Sequence, residues 1–469
     1  MASIGSERAS RSQWLGSWLH SWRTDAGLLA RLLELFACGS DSSLVRRLAG
    51  TAFIIRIVAA LLAFVAQIVL ARWLGGVQFG IYVYAWTCLL LVGGIADLGL
   101  GSAAQRFIPE YTEHKRFDLL RGYLVGSRAL AFAIGTAIAT MVTAVIALTP
   151  LAKSDTVLPL IFGCAAIPAF SLASVQSGIA RSYDWINLAL GPTYILRQVM
   201  LIALMSLAYG AGLPMDAVTT MAACLVTLWA CAFGQLLFVN RRLHAAVAPG
   251  AKAYAPRAWL TTSTPISLVE GFYVLLTYSD VILLTQFRPP QEVAVYYAAA
   301  KILALVAFIY FAVAQTAAHK FSEYHVTGDR SRLVDFVAQT VRMTFWPSLV
   351  LIGVLLALGE PLLSMFGKDF VGGYHLMFII AIGLLARAAV GPAERLLNML
   401  GERRRCAHVY AGSFLLNVVL CFVLIPRFGA VGAATASATA LVFESVWLFV
   451  VAKVRLGLHC LVFGRSRDR

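Results

Sequence analysis

Apolar residues in this chain fall in long runs, broken by short stretches rich in charge, glycine and proline. A helix crosses the hydrocarbon core of a bilayer in about 20 residues. Twelve runs reach that length: 48–72, 80–102, 120–149, 157–178, 187–209, 215–239, 258–286, 293–317, 334–358, 374–394, 406–425 and 429–452. The third and seventh are long enough to tilt or bend. The pattern predicts an all-α integral membrane protein, and an even number of spans places both termini on one side.

Composition agrees. Of 469 residues, 60% are hydrophobic and 13% charged, with a mean hydropathy of +0.79. A soluble chain of this make-up lacks the polar surface to cover its core, which excludes a soluble enzyme. The net charge of +15 would suggest nucleic acid on a soluble protein. Here it has a topological explanation. Alternate inter-span segments and the termini hold 27 Lys and Arg on one side and 5 on the other. By the positive-inside rule both termini are cytoplasmic. The other six cations lie inside spans: Arg56, Arg128, Arg197, Lys301, Arg342 and Arg387.

The chain also repeats itself. At an offset of 214, Ala103-Ala104-Gln105-Arg106-Phe107 falls on Ala317-Ala318-His319-Lys320-Phe321, and Gly80-Ile81-Tyr82 falls on Ala294-Val295-Tyr296. Six spans per half preserve orientation, so the repeats are parallel, related by a pseudo-two-fold axis along the membrane normal. The expected organisation is a cytoplasmic tail (1–47) with a short amphipathic run at 28–37, a six-helix lobe (48–240), a basic linker (241–257), a second six-helix lobe (258–455) and a basic tail (456–469). Two such lobes enclose a central cavity suited to alternating access.

Catalytic signatures are missing: no GxxxxGK[ST], no HExxH and no GxSxG. No enzyme activity, cofactor, metal site or ATP use is expected. The eight cysteines are scattered and read as small packing residues. Charge within the spans is the unusual feature, because a cation at the bilayer centre costs about 2.5–3.5 kcal/mol on insertion scales. Arg197, Arg56, Arg128, Arg387 and Lys301 are therefore candidate cavity cations for an anionic group such as a lipid pyrophosphate, whose oxygens a guanidinium holds bidentately. The alternative is that these cations pair with Asp97, Glu270, Asp280 and Glu444 as buried braces. Glu270, Asp280 and Asp97 are the ion-coupling candidates. Among the span prolines (Pro168, Pro192, Pro265, Pro347 and Pro392), Pro265 is the hinge candidate.

The stretches Asn398-Met399-Leu400-Gly401, Asn417-Val418-Val419-Leu420 and 424–434, with Leu74-Gly75-Gly76, Phe79-Gly80-Ile81-Tyr82 and 96–100, carry a family resemblance. They resemble the polysaccharide-biosynthesis (Wzx-like) oligosaccharide flippases of the multidrug/oligosaccharidyl-lipid/polysaccharide (MOP) exporter superfamily, over about 45–455. The resemblance implies a MATE-like fold of two six-helix lobes forming a V. It further implies a bacterial inner membrane, and movement of an undecaprenyl-pyrophosphate-linked glycan to the outer leaflet for surface polysaccharide export. Polysaccharide polymerase or export proteins would be partners, and nucleic acid would not. A drug/cation antiporter and a non-transporting scaffold for polysaccharide enzymes are the alternatives. A carboxylate-centred cavity would mark the first, and tolerance of Arg197 substitution the second.

Overall fold

A computed structural model describes residues 42–148 and 155–462. The amphipathic run at 28–37 and the end of the basic tail lie outside the described residues. Residues 42–54 belong to a unit of their own, and the rest of the description concerns the body from Ile55 onward.

Among the described residues the body consists of helices joined by short irregular segments, with no strand, and it is a multi-pass membrane protein. Eleven helical segments are long and apolar enough to cross a bilayer. The first, Ile55–Glu113, contains two crossings. At Gly75 the backbone leaves the helix (φ 71°, ψ 170°), a conformation a residue with Cβ rarely adopts. Arg72 and Gln78 on either side of it contact residues at one end of the bundle. Asp97 reaches Ser174 toward the other end, so the chain reverses at Gly75. The twelve spans are 55–74, 76–113, Phe117–Leu148, Val157–Ser182, Ile186–Gly210, Ala217–Ala246, Pro256–Phe287, 290–326, Arg330–Ala357, Lys368–Val390, Arg403–Phe428 and Ala430–Leu456. Most of their ends agree with the hydrophobic runs to within a few residues. Several ends lengthen into amphipathic turns that apolar runs alone do not reveal, as at Leu100–Glu113.

Two spans contain irregular backbone. Span five holds a π-helical segment, Gly191–Leu196, immediately before Arg197. Span eight narrows to a 3-10 turn at Ala304–Val306, immediately after the turn that carries Lys301. Pro392 does not lie within a span. It follows Gly391 (φ 59°) in the break between Tyr374–Val390 and a short helix, Ala393–Met399. Its ring clashes with a helical preceding turn, which stops span ten four residues earlier than its apolar run. Pro265 lies inside a continuous helix and does not break it.

Toward the weakly charged end, both halves share one apolar core. Phe79 and Leu70 of the first half lie in it with Tyr297, Phe366 and Phe370 of the second. Toward the basic end the cores are separate. One is built on Ala103, Phe107 and Tyr123, the other on Ala317, Phe321 and Val337. Span seven bridges the halves. Its basic end packs on the first half, where Trp259 donates to the Tyr111 hydroxyl (3.1 Å) and stands edge-on to Tyr123. Its far end packs on span eleven through Ser279–Asn417 (3.1 Å).

Candidate functional site

The two irregular segments place their cations in one region. Arg197 begins the α-helix that follows the π segment, and its guanidinium lies over the Trp86 ring, 4.7 Å from the centroid. Its Nε is buried and has no hydrogen-bond partner among the described residues. Tyr82 and Cys224 from its own half, and Tyr278 and Tyr297 from the other, lie within its electrostatic reach. Across that boundary the Lys301 ammonium lies 5.0 Å from the Tyr297 ring centre and also reaches Tyr278. Arg197 and Lys301, one cation from each half, thus have Tyr278 and Tyr297 as common neighbours. Aromatic faces hold both by cation–π attraction, an interaction that leaves guanidinium N–H groups free to bind something else.

Arg387 forms a second group inside the C-terminal half. It sits in the last turn of its helix and is sandwiched by Tyr310 (5.0 Å) and Tyr273 (5.7 Å). Its Nε is 3.8 Å from Glu444 Oε1. This is the brace that sequence reasoning offered as the alternative, and it holds for this residue. A cavity of about 40 Å³, room for a water, is lined by Tyr273, Tyr310, Ser348 and Arg387.

Arg128 has other partners. It is buried inside the N-terminal half, where Nε donates to Leu124 O (2.5 Å) and Nη1 to Asn240 Oδ1 (2.5 Å). It ties span three to span six and is withdrawn from the cavity set. Arg56 is half-buried near the start of the body.

The carboxylates separate into two places. Asp97 accepts from Gly99 N (3.0 Å), Gly101 N (3.4 Å) and Ser174 Oγ (2.7 Å), which shapes the turn before Leu100–Glu113. Glu270 is exposed at the basic end and accepts from Ser102 Oγ (2.9 Å), linking span seven to span two. Asp280 is buried in the C-terminal half, accepting from Tyr296 OH (2.5 Å), Ser437 Oγ (2.8 Å) and Val281 N (2.7 Å). None of the three touches the Arg197–Lys301 pair in a hydrogen bond or ion pair. Among the described residues no group of His, Cys, Asp and Glu is arranged to hold a metal.

Sequence reasoning did not find Trp86, Tyr273, Tyr297 and Tyr310. They come from three spans, and no spacing marks them; only the fold sets them beneath the cations.

Residues 47–319 match the family described as polysaccharide biosynthesis protein, more than half of the chain. The chain belongs to that family. Residues 265–423 of this family member also match the MatE family. It is similar to a probable low-salt glycan biosynthesis flippase, Agl15, of Haloferax volcanii, at 24% identity over 186 residues. That match spans 39% of this chain and 38% of the relative's length. Among solved structures, it shares its fold with a multidrug resistance MATE transporter of the MOP superfamily in an inward-facing conformation. That likeness has a TM-score of 0.72 at 14% identity, over 86% of this chain and 98% of the other. It is also similar to the lipid II flippase MurJ in an inward closed conformation, with a TM-score of 0.68 at 15% identity over 86% and 87% of the two chains. A MOP superfamily transporter from Pyrococcus furiosus, described as having a binding pocket of reverse polarity, gives a TM-score of 0.66 at 14% identity, over 90% and 97%. The fold is therefore that of the MOP superfamily.

Proposed function

We propose that this family member flips a polyprenyl-pyrophosphate-linked oligosaccharide from the cytoplasmic to the outer leaflet of a bacterial inner membrane, by alternating access, for surface polysaccharide export. The observation that carries this reading is Arg197: an intramembrane guanidinium held by an aromatic face, with a buried Nε that has no hydrogen-bond partner among the described residues. A group of this kind is built to receive an oxyanion, and Lys301, over the Tyr297 ring, supplies a second positive charge from the other half. The glycan would occupy the space between the halves, with the polyprenyl tail left in lipid. Work would come from the membrane potential, an ion gradient or removal of product.

Arg197→Ala tests it. The lipid-linked glycan reaching the outer leaflet is expected to fall about tenfold to a hundredfold at unchanged expression, the range for losing charge-assisted hydrogen bonds of about 1.5–3 kcal/mol. Unchanged translocation would overturn the reading. The match of 265–423 to the MatE family favours drug/cation antiport as a second reading. That reading puts the work on Asp280, and predicts that Asp280→Asn abolishes cation export while Arg197→Ala spares it.

A further inference from the structure

At the weakly charged end, the start of span eight forms part of the seam between the halves and also borders a cavity. Pro290 O closes on the Gly80 backbone, and a Cβ on Gly76 would come 3.2 Å from the Gln291 side chain, so this turn is the second half's side of the seam. The cavity has a volume of about 350 Å³ and is walled by Gln291 and Glu292, by Asp369 and His375 of span ten, and by Phe428 and Val431 where span eleven turns into span twelve. Small-molecule sites run from about 300 to 1,000 Å³. Gln291, Asp369 and His375 are exposed. Glu292 is fixed in the wall, accepting from Ala430 N (2.5 Å). Phe428 ends its helix, the chain reverses at Gly429 (φ 57°), and the ring is left 58% exposed. Among the described residues no lysine or arginine lines this cavity.

We propose that the cavity is an exit subsite for the sugar portion of the cargo: as the seam parts, the glycan emerges past Gln291, and a sugar ring settles over Phe428 among Asp369, Gln291 and His375. Charge and donor type select this ligand class. Two carboxylates with no lining cation repel a phosphate oxyanion, so this is not a second pyrophosphate site. A metal does not fit either, since among the described residues no His, Cys, Asp and Glu are grouped to hold one. A neutral ligand rich in hydroxyls does fit. Carboxylate oxygens accept from its O–H groups in charge-assisted bonds, and the Gln291 amide both donates and accepts. The exposed ring of Phe428 covers the apolar face of a sugar, which removes apolar surface from water on both sides. The pyrophosphate and the glycan are thereby recognised in separate places, by cations within the spans and by acids at the outer face.

The inference rests on the flippase reading above, and one experiment separates the two. The full-length protein is made in the cell that supplies its lipid-linked glycan, with photoreactive p-benzoylphenylalanine in place of Phe428, Tyr278 or Tyr209, and the glycan is labelled metabolically with a radioactive sugar. Tyr278 neighbours Arg197 and Lys301, and Tyr209 is exposed near the outer end of span five as a control on the other half. Illumination is expected to attach sugar label at 428 and at 278, and none at 209. Asp369→Ala is expected to lower the adduct at 428 about threefold to tenfold, the effect of losing one hydrogen bond, and to leave the adduct at 278 unchanged, which shows that the variant folds. Label at 278 without label at 428, an adduct at 428 made only of phospholipid or of another protein, or equal label at 209 overturns the inference alone. Label at neither 278 nor 428 overturns the flippase reading and this inference with it.

Discussion

Arg128 and Arg197 are the same residue type at similar depth, and their surroundings give them opposite parts. Arg128 spends its donors on Leu124 O and Asn240 Oδ1, inside one lobe. Arg197 is held by a ring face and keeps a buried nitrogen unpartnered. Arg128→Ala removes the donor to a half-buried amide oxygen and empties a buried position, which costs about 1–3 kcal/mol of stability. Thermal unfolding should therefore shift downward while affinity for a pyrophosphate ligand stays within error; an affinity loss like that of Arg197→Ala would return Arg128 to the site. Trp86→Leu should differ in touching binding as well. It removes a cation–π contact of about 0.5–2 kcal/mol and is expected to weaken ligand binding several-fold, while the loss of a buried ring from the core also lowers the unfolding temperature. The sequence places an arginine in a span and sets its depth. It does not say which way round the helix the side chain points, because both faces of these spans are apolar. That rotation decides between brace and site.

At the level of elements, the chain's spans are legible because lipid demands about 20 apolar residues whatever the fold. Irregular backbone is not, since nothing in Gly191-Pro192-Thr193-Tyr194-Ile195-Leu196 separates a π segment from a proline kink. Nor is the division of labour along span seven. The predicted boundary at 258 assigns that span to the second lobe, yet its basic end packs on the first. Gly99 is central to this contact. It sits at φ 72°, and a Cβ there would come 2.7 Å from Ser263 O and 3.0 Å from Ser267 N. Gly99→Ala is thus expected to push span seven away from span two and open the Ser102–Glu270 contact. A cysteine pair at Ser102→Cys and Glu270→Cys should cross-link less readily in that background; an equal yield would show that the contact does not depend on the glycine.

For the whole molecule, the repeat is visible in how the halves are fastened, and the charge does not follow it. Gln78 accepts from Ala217 N (3.0 Å) at the start of span six, and Glu292, 214 residues later, accepts from Ala430 N (2.5 Å) at the start of span twelve. Tyr82 and Tyr296 are both buried at the same offset. Arg197, Lys301 and Arg387 have no such counterparts: residues 411, 87 and 173 are Ala, Thr and Ala. Symmetric scaffolding with asymmetric charge suits a molecule whose halves rock while the cargo meets each differently. Rocking requires the weakly charged end to open, and that end is closed by identifiable contacts. Arg72 donates across the halves to Met365 O (2.6 Å) and Ser364 O (3.2 Å), at the carbonyl end of Gly359–Phe366. The Gly80 backbone lies so close to Pro290 O that no side chain fits between them. Gly80→Val therefore cannot close this end, and Arg72→Ala closes it less firmly. A reporter lies beside them, where a Cβ on Gly76 would come 3.2 Å from the Gln291 side chain. The substitutions Gly76→Cys and Gln291→Cys should form a disulfide in the otherwise unchanged chain. Its yield is expected to drop strongly with Gly80→Val and partly with Arg72→Ala, and to return toward the original value in neither. Undiminished cross-linking in both backgrounds would mean that the halves are held together elsewhere, at the shared aromatic core of Phe79, Tyr297 and Phe370.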